Sequence, residues 1–505
     1  MSITASKLYD YLQCPHKIWR DNYGPQEEKI IETNPFVQLL WDRGVRYEKE
    51  IIDSLGTYLD LSDGKLEERF KKTIEALKNK IPLIYQGVLI KDELMGIPDL
   101  LEITPNGNYI PIDIKSGMGL EGTDDSHEEE GKLKEHYAVQ LALYCDALNK
   151  LGFKNDKKGI ILDIKGNKVL YDLDLVIGKI KNITYWQLYE NTKNAVSLLL
   201  ENKIKNNPAL AGSCKLCPWY SSCKKWVEET DDLTGLFYVG RSKRDVLNQD
   251  IDAFRIDDIL SLNIKDLLIK KKNDKNFLKG LGEKNIEKII YRANILKNVK
   301  KPVINGEVNL PDVSYELFFD IEDDPTREFV YLHGIYERSR KNGERYISFT
   351  AKDISPEAEK EAWFDFWKYI KTLPKDDFAV YYYSPHEKST YKKMQKMYPE
   401  VISELELNDF FENKNIIDLY QQIVLKITDW PISSYSLKTI AQYLGFKWRD
   451  ETPSGALSIQ WFNEYIDKKD KKMLERILIY NEDDCKATMV VKDKIKELSN
   501  RRQNF

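Results

Sequence analysis

The residues best placed to do chemistry in this chain are acids set two or four positions apart beside apolar runs, and cysteines set three and six apart. In GIPDLLEITPNGNYIPIDIKSG, Gly96 to Gly117, Asp113 and Lys115 alternate with apolar neighbours, so a strand projects both from one face. Asp99, beside the preceding apolar run, can lie across from them. Burying such charges is costly unless they are paired or bind a metal. Two carboxylates and a lysine at one point suit a divalent cation, the lysine orienting or activating a water and offsetting charge on a phosphate. A second set lies far downstream. YELFFDIEDD places Asp320 and Glu322 on one strand face, and KMLERILIYNEDDC places Tyr480 and Asp484 four apart on one helix face. Glu387 and Asp418 fall at neighbouring element ends.

Cys214, Cys217 and Cys223 form C-x2-C-x5-C, with Cys14 about two hundred residues upstream. Two thiolates separated by two residues chelate one centre, and a fourth completes a tetrahedral zinc site or an iron–sulfur cluster. Spacing alone leaves both open. A shared centre would staple the two ends of one domain, a structural role. Cys145 and Cys485 sit in apolar helical patterns and read as core residues.

The elements that must position these groups are legible in outline. Asn106-Gly107 is a hairpin signal between the two strands that carry Asp99, Asp113 and Lys115. LLWDRGVRYEKEIID reads as an amphipathic helix bearing Glu48, and HYAVQLALYCDAL as a helix with Gln140 and Tyr144 on one face. Between them the polar stretch 121–135 reads as a loop. From Lys265 to Lys301 there are twelve Lys or Arg against four Asp or Glu. Within that basic stretch, KGLGEKNIEKI resembles a helix–hairpin–helix motif. Gly280 and Gly282 would allow the tight turn, and backbone N–H groups near Lys284 would cradle a phosphate without reading sequence. After it, strands and helices alternate to the end.

At 505 residues the chain is long enough for two or three domains, expected at 1–230, 231–305 and 306–505. The fold class expected is α/β multidomain. The net charge of −5 neither suggests nor excludes nucleic acid. No apolar run reaches the roughly 18 residues of a membrane helix, and the N-terminus lacks signal-peptide order, so a cytoplasmic protein without membrane partners is expected. Reduced thiols in that compartment favour metal over disulfides.

The ordered set Cys14, Glu48, Asp99, Asp113-Ile114-Lys115, Gln140-x-x-x-Tyr144 and the cysteine triplet resembles the RecB-like PD-(D/E)xK nucleases. It is most similar to their iron–sulfur subfamily, which includes CRISPR-associated and AddB-type nucleases. The resemblance implies that Glu48, Asp99 and Asp113 hold Mg²⁺ or Mn²⁺ and that Lys115 assists the attacking water. Gln140 and Tyr144 would position DNA, and the four cysteines would hold a [4Fe–4S] cluster. Glu48 stands where many relatives have His. The D-x-E strand end with Y-x-x-x-D on the last helix resembles the DEDDy group of ribonuclease-H-fold 3′–5′ exonucleases. By that resemblance Asp320, Glu322, Glu387 and Asp484 hold two ions about 4 Å apart, and Tyr480 orients the water. Glu387 stands where those enzymes usually have Asp, with Asp418 a supporting or alternative acid. The overall order is similar to a family of RecB-like nucleases with a C-terminal ribonuclease-H-like domain, implying action on single-stranded or end-containing DNA in repair or mobile-element or CRISPR-linked defence. No G-x-x-x-x-G-K-[ST] is present, so any helicase would be a separate partner. The competing reading is a nucleic-acid-binding or assembly protein with one or both sites inactive.

Overall fold

The computed structural model describes residues 2–30, 35–121, 131–178, 182–452 and 454–503. The chain divides into two compact units, Met1–Lys225 and Trp226–Phe505. Residues 122–130, most of the polar stretch read as a loop, lie outside those described.

The first unit is built on a six-stranded mixed sheet. Its central strands, Leu100–Ile103 and Tyr109–Ile114, pair antiparallel with Leu100 opposite Ile112 and Ile103 opposite Tyr109. Their connection is one residue longer than a two-residue Asn-Gly turn. The Thr104 and Asn108 backbones pair, Pro105 and Asn106 make the bend, and Gly107 takes φ +78°. A two-residue Asn106-Gly107 turn would need a backbone N–H from Pro105 to pair with Asn108, which proline lacks, so the pairing falls back to Thr104 and the loop gains a residue with Gly107 left-handed. Lys158–Leu162 joins the other side of Tyr109–Ile114 in parallel.

The helix Glu135–Lys150 lies over this sheet. Its residues from Val139 to Leu148 are buried with the sole exception of Gln140, which is partly exposed. A helix apolar on nearly every side belongs inside a domain, and here it is the central layer of the core. It lies very close to the strands. A Cβ on Gly96 would come within 2.6 Å of the Tyr144 ring.

The second unit contains a five-stranded sheet, ordered Gly343–Thr350, Phe329–Ser339, Tyr315–Asp324, Phe378–Tyr382 and Ile416–Asp418. The first three strands run antiparallel and the last two join in parallel. Apolar side chains alternate onto both faces. One face buries Phe319, Ile321 and Ile335 against Trp363, Phe366 and Tyr391. The other buries Phe318 and Tyr381 against Cys485 and Val491 of the long final helix, Lys471–Gln503. Cys145 and Cys485 are both fully buried, as their apolar context implies.

The helical stretch before this sheet has a small core of its own, including Leu247, Ile259, Leu281 and Ile286. It nevertheless belongs to the second compact unit. Asp429, with no exposed surface, is the joint. It receives Lys288 Nζ at 2.6 Å, Arg292 Nε at 2.8 Å and Asn305 Nδ2 at 2.6 Å, while Val303–Ile304 pairs with Thr428–Asp429. Removing one member of a buried ion pair leaves the others desolvated and unpaired. Asp429→Ala should therefore lower the stability of the second unit by about 3–5 kcal/mol in denaturant unfolding followed by tryptophan fluorescence. A loss below about 1 kcal/mol would show that the joint is not held by these charges.

Candidate active sites

In the first unit the acids gather at the end of the central hairpin. Asp99 precedes its strand by one residue, and its Oδ2 accepts the Ile114 N–H at 2.7 Å, which pins it beside Asp113. Lys115 Nζ stands 2.9 Å from Asp113 Oδ2 and 5.7 Å from the centre of the Tyr137 ring. Glu48, on the helix Pro35–Ser54, accepts from Tyr85 Oη and Gln86 Nε2, each at 3.0 Å. Gln86 Nε2 also lies 3.4 Å from Asp99 Oδ1, so one amide links the two acids. Burial raises the Asp99 carboxyl well above its usual range, and the Asp113 charge adds to this. Burial alone would lower the Lys115 ammonium, but Asp113 and Asp99 outweigh it and raise its pKa.

Burial raises the Tyr144 hydroxyl well above its ordinary pKa, and the Asp113 charge beside it adds to this. Gln140 lies one turn before Tyr144, with its Oε1 buried and unpartnered among the described residues. Glu48, Asp99, Asp113, Lys115 and Tyr144 are thus linked, but Glu48, Asp99 and Asp113 do not bring three ligand atoms within 4.8 Å of one another, and no described contact ties Gln140 to the acids. Tyr85 and Gln86 are additions. Gln86, at φ +56° beside Gly87, carried no motif that would have marked it.

The second unit holds a tighter cluster. Asp320 and Glu322 on the strand and Asp484 on the final helix place ligand atoms within 4.8 Å of one another. Among the described residues no other group of three or more acids, histidines or cysteines is so close. Asn481, one turn before Cys485, fixes the pair. Its Nδ2 donates to Asp320 Oδ2 at 2.8 Å and lies 3.4 Å from Glu322 Oε1. Trp448 Nε1 donates to Asp484 Oδ1 at 2.7 Å. Lys438 Nζ donates to Tyr480 Oη at 3.0 Å.

Burial raises the carboxyls of Asp320, Glu322 and Asp484, and the charge of Asp484 pushes Asp320 and Glu322 further; Glu322 reaches about 8. Burial likewise pushes Glu387 up to about 8, and its Oε2 is buried without a hydrogen-bond partner among the described residues. Buried carboxyls crowded in this way disfavour their own charged forms, only partly offset by the Lys438 charge, so a hard divalent cation suits their oxygen ligands. Asp418 acts locally. Its carboxylate accepts the Gln421 N–H at 2.9 Å and caps the helical turn that follows. Asn481 sits inside the Y-x-x-x-D spacing and was within reach of sequence reasoning. Trp448 and Lys438 were not, because nothing local marks a residue that touches the site only through the fold.

Cys14 falls at the break between the helices Ala5–Gln13 and Pro15–Tyr23, and Cys14, Cys214, Cys217 and Cys223 line one cavity of about 280 Å³. No disulfide joins them. Burial pushes the Cys223 thiol up to about 11; Arg20 opposes this, and the other three cysteines reinforce it. In the basic stretch, Gly280 takes φ +85°, Gly282 begins the helix Glu283–Asn294, and Lys284 is exposed in its first turn.

A model of the PD-(D/E)XK nuclease superfamily matches residues 15–224, and one of the RNase_H superfamily matches residues 317–496. The chain therefore carries one domain of each superfamily. Together they support a metal-dependent nuclease, an enzyme that hydrolyses phosphodiester bonds of nucleic acid. No curated protein and no solved structure matches the chain. No described helix is long and apolar enough to cross a membrane.

Gly334 tests the support of the second cluster. A Cβ there would stand 1.6 Å from Asn481 Oδ1. Gly334→Ala should displace Asn481, loosen Asp320 and Glu322, and reduce cleavage by the second domain about 10²-fold, the scale of a misplacement near 1 Å. Single-turnover cleavage, with folding checked by circular dichroism, would measure it; wild-type rates in a folded variant would refute the Asn481 role.

Proposed function

We propose that this protein is a DNA nuclease with two cutting centres, an iron–sulfur PD-(D/E)xK nuclease followed by a DEDDy-type 3′–5′ exonuclease, acting on single-stranded or free-ended DNA. The observation that carries it is the convergence of Asp320, Glu322 and Asp484 within 4.8 Å, on a helix whose preceding turn presents Tyr480. Asp320, Glu322, Glu387 and Asp484 would hold Mg²⁺ or Mn²⁺ in the second domain, and Glu48, Asp99 and Asp113 in the first. Such ions, when bound, polarise the phosphate and lower the pKa of water. The chain's own groups set the geometry. Tyr480, held by Lys438, orients a water toward the phosphorus, and Asn481 and Trp448 keep the carboxylates from rotating away. In the first domain Lys115 balances charge on the phosphate and helps orient the water. Gln140 offers its buried acceptor, and Tyr144 lies beside Asp113.

The cysteine cavity takes the [4Fe–4S] cluster in this reading, with zinc the alternative. What supports a shared centre is that Cys14, Cys214, Cys217 and Cys223 line the same cavity. The cluster would tie the N-terminal helices to the end of the first unit. Gly280, Gly282 and Lys284 would grip the backbone of the same strand, and a helicase would act as a separate partner.

Incubation with Mg²⁺ or Mn²⁺ and end-labelled single-stranded DNA, duplex DNA and RNA tests the reading. Lys115→Ala should slow one product pattern by roughly 10²–10⁴-fold, and Asp320→Ala should abolish another. Binding without cleavage by the wild type would instead support an assembly protein, and unchanged products in both variants would refute the assigned sites. Anaerobically purified protein should show the visible absorption of an iron–sulfur centre, and Cys217→Ser should lose it together with stability of the first unit. Stoichiometric zinc with no iron would overturn the cluster.

A further inference from the structure

The second unit contains a cavity of about 370 Å³ lined by Asp320 and Glu387 on one side and by Tyr383, Tyr420 and Tyr435 on another. It lies at the low end of the roughly 300–1,000 Å³ of small-ligand sites, room for a single nucleotide and not for a duplex. One wall does not come from the ribonuclease-H-like sheet. Phe237, from the helical stretch before it, lines the same cavity.

Phe237 is locked in place. Its ring stacks on Tyr435 with centroids 3.7 Å apart and planes at 16°. Arg292 lies 4.8 Å from the Phe237 ring and 5.5 Å from the Tyr435 ring, and is itself held by buried Asp429. The next residue behaves differently. Tyr238 takes φ +75° and is 65% exposed. A bulky aromatic in the left-handed region is strained, and such strain collects where a ligand is held. The Tyr238 ring stands edge-to-face with Phe237 at 5.6 Å and is close enough to Tyr420 to bear on its hydroxyl electrostatically. Lys243 Nζ lies 4.4 Å from the Tyr238 ring centre and donates to the Tyr238 carbonyl at 2.8 Å. An exposed, strained ring beside a cation, at the edge of a cavity that ends in carboxylates, serves no packing need. It matches what unpaired nucleic acid requires: an aromatic face for a base and a positive charge for the phosphate. The unpartnered Oε2 of Glu387 lies in the wall of the same cavity.

We propose that Phe237 and Tyr238 complete the substrate pocket of the Asp320–Glu322–Asp484 centre, Tyr238 stacking on an unpaired base at the strand end while Lys243 neutralises the adjoining phosphate. The helical stretch is then part of the exonuclease and not a spacer. This rests on the nuclease reading above and adds to it the residues that select single strands.

The test uses the full-length protein and an oligonucleotide with 2-aminopurine at its 3′ end, whose fluorescence is quenched by stacking. Binding is read without added metal, and cleavage is then read with Mn²⁺. Wild type and Tyr238→Phe should change the fluorescence equally. Tyr238→Ala should lose most of the change and raise KM for single strands roughly tenfold with kcat nearly kept, the scale of one lost base–aromatic stack. Wild-type fluorescence and KM in Tyr238→Ala would overturn the pocket while cleavage upheld the nuclease. A defect in Tyr238→Phe as large as in Tyr238→Ala would also overturn it, because the hydroxyl and not the ring would then be at work. A Tyr238-dependent fluorescence change in a protein that never cuts would uphold the pocket and sink the nuclease.

Discussion

Mutual repulsion among Asp320, Glu322 and Asp484 is the constraint on which the second unit turns. Three carboxyls brought within 4.8 Å in a largely buried corner disfavour their own charged forms, and a fold that holds them there must oppose that repulsion. It does so with rigid neutral donors and with the charge of Lys438 nearby. Asn481 reaches both strand acids and Trp448 reaches the helix acid, so the carboxylates are oriented without being neutralised. Gly334 is part of the same solution, because Asn481 occupies the space that any side chain there would fill.

The first unit meets a related problem by different means. Its acids come from three places: a helix, the residue before one strand of the central hairpin, and the hairpin's other strand. The links between them are an amide, Gln86, and a backbone N–H, that of Ile114. Lys115 provides a built-in counter-charge in direct contact with Asp113. The buried helix Glu135–Lys150 lies close behind them, and Gly96 is the residue that permits the approach of Tyr144. In one site the cation is in direct contact with the central acid, and in the other neutral donors touch the acids while Lys438 acts from Tyr480: two balances of charge serving one class of reaction.

The helical stretch between the sheets changes meaning once its anchors are seen. Its basic composition reads as a backbone-gripping element, with Gly280 at φ +85° and Gly282 capping the helix that follows. Asp429 fastens the stretch to the C-terminal fold through Lys288 and Arg292. Two of its basic side chains are thereby committed to structure, which a count of charge along the sequence counts as free.

What the sequence by itself determined was the set of local pairings. Asp113 with Lys115, Asp320 with Glu322, and Tyr480 with Asp484 follow from the periods of strand and helix, which are fixed by backbone geometry. The burial of Cys145 and Cys485 was legible for the same reason, and the superfamily of each half from the order of several such short motifs along the chain. The exact hairpin loop was not, because Asn106-Gly107 suggests a two-residue turn and only the preceding Pro105 forbids it. Tertiary structure alone decided what lies across from each pair. Gln86 between Glu48 and Asp99, Asn481 under Gly334, Trp448 on Asp484 and Phe237 in the cavity wall all join residues far apart in the chain or unmarked by any motif. Those contacts depend on how helices and sheet pack, and packing is a property of the whole core that no local spacing encodes.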